Sequence, residues 1–150
     1  MIRAVLDTNI IIASLFSSSP YHRILSDLFL NKYIIIVTND ILLEYEEKIA
    51  EKFGKEAANA TLEALLQSNS VIKTEVFFTL FLVKADPDDN KFSDAAFSSN
   101  ADLLVTNDRH FNILKQISFP VIKTIRASVA TWKGIATEAR KKTWDLLDFL

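Results

Sequence analysis

Three short apolar runs constrain this chain most. "IRAVL" (2–6), "YIIIV" (33–37) and "DLLVT" (102–106) are brief, and each ends at a polar breaker. Runs of that length and punctuation read as buried strands. The segments between them carry helical spacing. A helix is expected to begin near Thr8 and run through "TNIIIASLFS" (8–17), ahead of a loop at Ser17-Ser18-Ser19-Pro20. Residues 21–31 place Ile24, Leu25, Leu28 and Phe29 on one face. "TND" (38–40) opens a helix with Ile41, Leu42, Tyr45 and Ile49 inward and Glu46, Glu47 and Lys48 outward. A helix over about 55–68 forms a hairpin with it. Strands alternating with helices imply an α/β domain with a mainly parallel sheet.

The remainder is read in the same way. "VIKTEVFF" (71–78) is a strand candidate, and "KADPDDNK" (84–91) is a turn. "FSDAAFSSN" (92–100) is a short helix, and "NDRHFNILKQI" (107–117) is a loop followed by a helix. "FPVIKT" (119–124) is the last strand, with Pro120 at its start, where proline is tolerated. From Trp132 onward, Ile135, Ala136, Ala139, Leu146, Leu147 and Leu150 recur at three- and four-residue steps, so about 133–150 is an amphipathic helix.

The 150 residues suit one domain. No cysteine is present, which removes disulfide and thiol chemistry and fits a cytoplasmic chain. "VFFTLFLV" (76–83) is too short to span a bilayer as a helix, and no membrane association is expected. The net charge of −2 supplies no global basic field for nucleic acid, so local basic residues or bound cations must do that work.

The acids fall at informative places. Ligands of an open parallel sheet bind beyond the carboxyl ends of its strands. Asp7 lies just past the first strand and Asp108 just past "LLVT". Glu44 lies early in the helix after the second strand, and Asp86, Asp88 and Asp89 crowd the turn before the third. Converging carboxylates repel one another unless one takes a proton or a cation sits among them. Magnesium suits such a set, and the chemistry suggested is metal-dependent hydrolysis of a phosphodiester. Taken singly, each acid has a plainer reading: Asp7 and Asp108 as helix caps, Glu44 as a solvated helix residue, "DPDDNK" as a turn. The turn is a poor calcium loop, with Lys91 and Phe97 where glycine and glutamate are expected.

At these residues the chain resembles the PIN domain family, closest to the group of toxins from toxin–antitoxin pairs (VapC-like ribonucleases). The matching stretches are "VLDTNIIIASLF" (5–16), "TNDILLEYEEKI" (38–49), "DPDDNKFSDAAFSSNADLLVTNDRHF" (86–111) and "FPVIKT" (119–124). The resemblance implies a three-layer α/β/α sandwich with a central, mainly parallel sheet. It implies a single-strand-specific endoribonuclease dependent on Mg2+ or Mn2+, an antitoxin protein as partner, and a homodimer. Asp7, Glu44, Asp89 and Asp108 match the family's catalytic acids. Asp7, Asp89 and Asp108 would hold the metal, and Glu44 would hold a second metal or orient water. Asp88 or Asp94 could replace Asp89. Thr8, Asn9 and Thr106 match supporting positions. Arg109 and Lys91, with His110 and Arg23, could touch backbone phosphates. The products implied are a 5′-phosphate and a 3′-hydroxyl. Asn107 departs from the glycine or arginine of many relatives. Competing readings are an RNA-processing or DNA nuclease of the same family, and a non-catalytic nucleic-acid-binding regulatory module. A haloacid-dehalogenase phosphatase needs a second aspartate two residues after the first, and this chain has Asn9 there.

Overall fold

The structure, a computed structural model, describes residues 1–128 and 131–133. Five parallel strands form one sheet: β1 (Arg3–Leu6), β2 (Ile34–Val37), β3 (Val71–Lys73), β4 (Leu103–Val105) and β5 (Thr124–Ile125), in the order β3-β2-β1-β4-β5. Among the described residues it is accompanied by the helices α1 (Thr8–Ser14), α2 (His22–Phe29), α3 (Asn39–Phe53), α4 (Lys55–Gln67) and α5 (Asn90–Ser98). Short 3₁₀ stretches occupy Pro87–Asp89 and Arg109–Gln116. From β1 the chain first steps one way across the sheet, to β2 and β3. It then crosses to β4 and β5 on the other side. Right-handed crossovers in opposite directions put helices on both faces, which gives the α/β/α sandwich.

The core follows the apolar pattern. Val5, Leu6, Ile35, Ile36, Val37, Leu104 and Val105 are fully buried, as continuous apolar runs in a covered parallel sheet require. On α3, Ile41, Leu42, Tyr45 and Ile49 all face inward, while Glu46 and Glu47 are exposed. On α2 the expected face is narrower: Ile24, Leu25 and Leu28 are buried, but Phe29 at the last turn is exposed. Thr38 caps α3 by accepting from the Ile41 amide at 3.2 Å. α3 and α4 form the expected hairpin around Gly54, whose φ of +92° is a conformation that side-chain-bearing residues rarely adopt.

Two strands are shorter than expected. β3 stops at Lys73 because β2, its only neighbour among the described residues, ends at Val37; the Thr74 amide closes the ladder on the Val37 carbonyl. Residues 74–83 then run without regular structure. β5 is Thr124–Ile125, so Pro120 precedes the strand and does not begin it. The 107–117 helix is realised as a 3₁₀ stretch. The amphipathic helix expected over about 133–150 lies outside the described residues, Lys133 apart.

Candidate metal and catalytic site

The order β3-β2-β1-β4-β5 places the topological switch point between β1 and β4, where open α/β sheets bind ligands. The β1–β4 register pairs Leu6 with Val105, so the next residues, Asp7 and Thr106, lie side by side at the carboxyl edge. The Thr106 hydroxyl donates to Asp7 Oδ2 at 2.8 Å and accepts from the Asp108 amide at 3.0 Å. One buried hydroxyl thus fixes two acids.

Asp7 stands at the N-cap position of α1, yet its side chain makes no capping hydrogen bond. Asp89, at the same position of α5, makes none either. Both carboxylates stay turned toward the site, each at a helix N-terminus that favours negative charge. Asp86 and Asp108 do cap, accepting from the Asp88 amide at 3.1 Å and the His110 amide at 2.9 Å. His110 Nδ1 lies 3.3 Å from Asp89 Oδ2 and 3.5 Å from Asp108 Oδ1. Ligand atoms of Asp86, Asp89 and His110 all lie within 4.8 Å of one another.

Glu44 arrives from α3. The neighbouring Tyr45 is fully buried and donates its hydroxyl to the Leu6 carbonyl, which pins α3 to the end of β1. The Thr8 hydroxyl donates to Glu44 Oε2. Lys91 Nζ lies 3.6 Å from Glu44 Oε1 and 3.6 Å from Asp88 Oδ1. A cleft of about 720 Å³ opens on this side, lined among others by Glu44, Lys91, Asp94, Phe77 and Phe78. Asp7, Asp89 and Asp108 lie beyond its lining.

The charge pattern is that of mutually repelling acids. Burial pushes the Asp7 carboxyl above its ordinary value, and Asp108 and Glu44 push the same way, against the Thr106 hydrogen bond. Burial, then Asp86 and Asp108, push Asp89 up to about 6, with His110 acting in opposition. Among the described residues, no lysine or arginine pairs with Asp7, Asp86, Asp89 or Asp108.

The alternatives to Asp89 sit elsewhere. Asp88 is exposed and faces Lys91. Asp94 is buried and accepts from the Leu80 amide at 3.0 Å, which ties down the 74–83 segment. Thr8 and Thr106 join the hydrogen-bonded set; Asn9 is exposed at the first turn of α1 and does not. Arg109 is exposed at the start of its 3₁₀ stretch. Arg23 belongs to α2, where its Nε lies 3.3 Å from Asp27 Oδ2. Asn107 accepts from the Ala127 amide at 2.9 Å, locking the chain after β5 to the loop after β4. The residues with least signal in the sequence were Asp86 and His110 as partners of Asp89, and Asn90. The Asn90 side chain pairs with both the N–H and C=O of Val83 at 2.9 and 3.0 Å, in place of a strand neighbour. For Asp86 and Asn90 the "DPDDN" spacing was the hint, and His110 was read only as a possible phosphate contact.

A family model described as PIN domain matches residues 3–110. The chain belongs to the PIN domain family. This PIN domain is 29% identical over 147 residues to the uncharacterized protein MJ1680 of Methanocaldococcus jannaschii, a match covering 93% of each chain. Among solved structures it is similar in fold to the crystal structure of VapBC2 from Rickettsia felis bound to a DNA fragment from their promoter. That match has a TM-score of 0.56 and 21% identity, and it covers 85% of this chain and 100% of the other. No described helix of this PIN domain is long and apolar enough to cross a membrane.

Proposed function

We propose that this PIN domain is a divalent-metal-dependent endoribonuclease that hydrolyses phosphodiester bonds of single-stranded RNA, and that it is the toxin of a toxin–antitoxin pair. One observation carries the reading: Asp7, Asp89 and Asp108 gather at the switch point with no lysine or arginine paired to them among the described residues. The donor set fits a divalent ion. Carboxylate oxygens suit Mg2+ and Mn2+ alike. Asp7, Asp89 and Asp108 would hold the ion, with Asp86 and His110 at its margin.

When bound, the ion activates water and neutralises charge on the phosphoryl oxygens. The chain's own groups supply the geometry. Thr106 fixes Asp7 and the Asp108 backbone. Glu44, steadied by Thr8, orients the attacking water. Arg109 is placed to take a backbone phosphate. The products are a 5′-phosphate and a 3′-hydroxyl. PIN family membership supports nuclease chemistry, and the fold likeness to a VapBC2 complex supports an antitoxin partner. A cytoplasmic homodimer completes the proposal. Sedimentation of a chain truncated near Lys133 tests whether the C-terminal segment contributes, since an unchanged mass removes it from the interface.

The central test uses end-labelled single-stranded RNA and DNA with Mg2+ or Mn2+, wild type beside Asp7→Asn. Cleavage of RNA by wild type alone, abolished by chelator, is expected. Cleavage of DNA instead moves the protein to the DNA-nuclease reading. No cleavage, together with no heat on manganese titration, removes the nuclease. Growth arrest on induced expression, relieved by the product of an adjacent reading frame, separates a toxin from a general RNA-processing enzyme.

A further inference from the structure

The site is electrostatically two-sided. On one side, among the described residues, Asp7, Asp86, Asp89 and Asp108 have no lysine or arginine paired with them, and His110 stands beside Asp89 and Asp108. On the other side Glu44 is already satisfied. Thr8 donates to its Oε2, and the Lys91 ammonium stands 3.6 Å from its Oε1. Lys91 is no loosely solvated surface charge: its side chain is 18% exposed, and Glu44's is 17%. It leaves from the first turn of α5, one residue after Asn90, whose buried amide is bonded to Val83 and Pro87. The stem is therefore rooted in a turn held by three hydrogen bonds of the Asn90 side chain.

Resting on the metal-centre reading above, we propose that Lys91 is a built-in counter-cation for Glu44, so that this PIN domain takes one divalent ion, on the Asp7–Asp89–Asp108 side, and not two. The physical reason is exclusion. A Mg2+-sized ion bound to Glu44 Oε1 at about 2.1 Å would stand no farther than about 6 Å from the ammonium. The fixed positive charge repels it and already neutralises its ligand. Lys91 thereby acts as a positioning residue, which holds Glu44 toward the cleft as a carboxylate free of metal.

The test counts ions. Mn2+ is titrated into the full chain and followed by calorimetry and by the electron paramagnetic resonance of free Mn2+. Wild type is expected to take one ion per chain and Lys91→Met two. Lys91→Arg is expected to keep one. Lys91→Met combined with Glu44→Gln is expected to return to one. Two ions in wild type overturn the role of Lys91 while leaving the nuclease standing. A folded Lys91→Met chain that still takes one ion also overturns it. No ion in wild type overturns both readings. Should Lys91→Met fail to fold, Glu44→Gln alone decides. It is expected to leave the single ion bound within about threefold, and a loss of about tenfold or more shows that Glu44 ligates the metal.

Discussion

Thr106 carries more of the site than any single acid, because its one hydroxyl serves Asp7 as donor and the Asp108 amide as acceptor. Thr106→Val keeps the shape and removes both bonds, leaving a buried carboxylate oxygen and an N–H without that partner. A loss of about 1–3 kcal/mol is expected in urea unfolding with chelator present, and Thr106→Ser should recover most of it. Equal stability of the valine variant would mean that Asp7 is held by other means. Asp89 makes a second prediction, in pH. Its carboxyl moves from an ordinary 3.8 up to about 6 on folding. Between those values the folded chain keeps a proton that the unfolded chain has released. This contribution is therefore full below about 4 and is lost as the pH rises to about 6. Asp7 is shifted in the same direction. The metal-free urea midpoint should fall across this window, and Asp89→Asn should flatten the fall. A slope unchanged in that variant would show that Asp89 is not its source.

At the scale of elements, the decisive piece is the irregular 74–83 segment. It is rich in exposed aromatics, with Phe77 87% accessible, and it has no strand partner. Side chains of α5 stand in for one: Asn90 grips Val83, and Asp94 grips Leu80. Asn90→Ala removes three hydrogen bonds from a buried position, each worth about 0.5–1.5 kcal/mol net. Faster amide exchange at Val83 is expected, along with protease cleavage within 74–83, while β1 and β4 stay protected. Uniform loss of protection across the sheet would show instead that the segment and the sheet unfold together.

For the whole molecule, the contact that closes the fold joins α2 to Trp132. The indole N–H donates to Asp27 Oδ2 at 3.0 Å, and the ring packs edge-on against Tyr33 at 4.8 Å. Asp27 is buried, which pushes its carboxyl up. The bonds from Lys32 and Trp132, with Arg23, outweigh this and hold it below the ordinary range. Its contribution is present above about 4 and fades as the pH drops through the lowered value, opposite in sign to that of Asp89. Trp132→Phe keeps the ring contact and removes the donor. A cost of about 1–3 kcal/mol is expected, with the midpoint of acid unfolding moved to higher pH. An unmoved midpoint would mean that Lys32 and Arg23 suffice to hold the charge.

What the sequence determined by itself was whatever depends on neighbours along the chain. The runs "RAVL", "IIIV" and "LLV" had to be buried strands, Thr38 had to open a helix, and α3 had to turn Ile41, Tyr45 and Ile49 inward, because local propensity and periodicity act within a few residues. The acids that end these elements were legible for the same reason. Tertiary structure decided the rest. β3 ends where β2 runs out of backbone to pair with, and β5 lies beyond Pro120, since ladder length depends on the partner strand. Of the candidate acids, Asp89 ends the 3₁₀ stretch beside His110, Asp88 faces Lys91, and Asp94, on α5, accepts from the Leu80 amide. That His110 would sit beside Asp89, and that Lys91 would stand 3.6 Å from Glu44, depended on elements brought together from distant parts of the sequence. Charge pairing of that kind is set by distance in space, which a linear pattern does not encode.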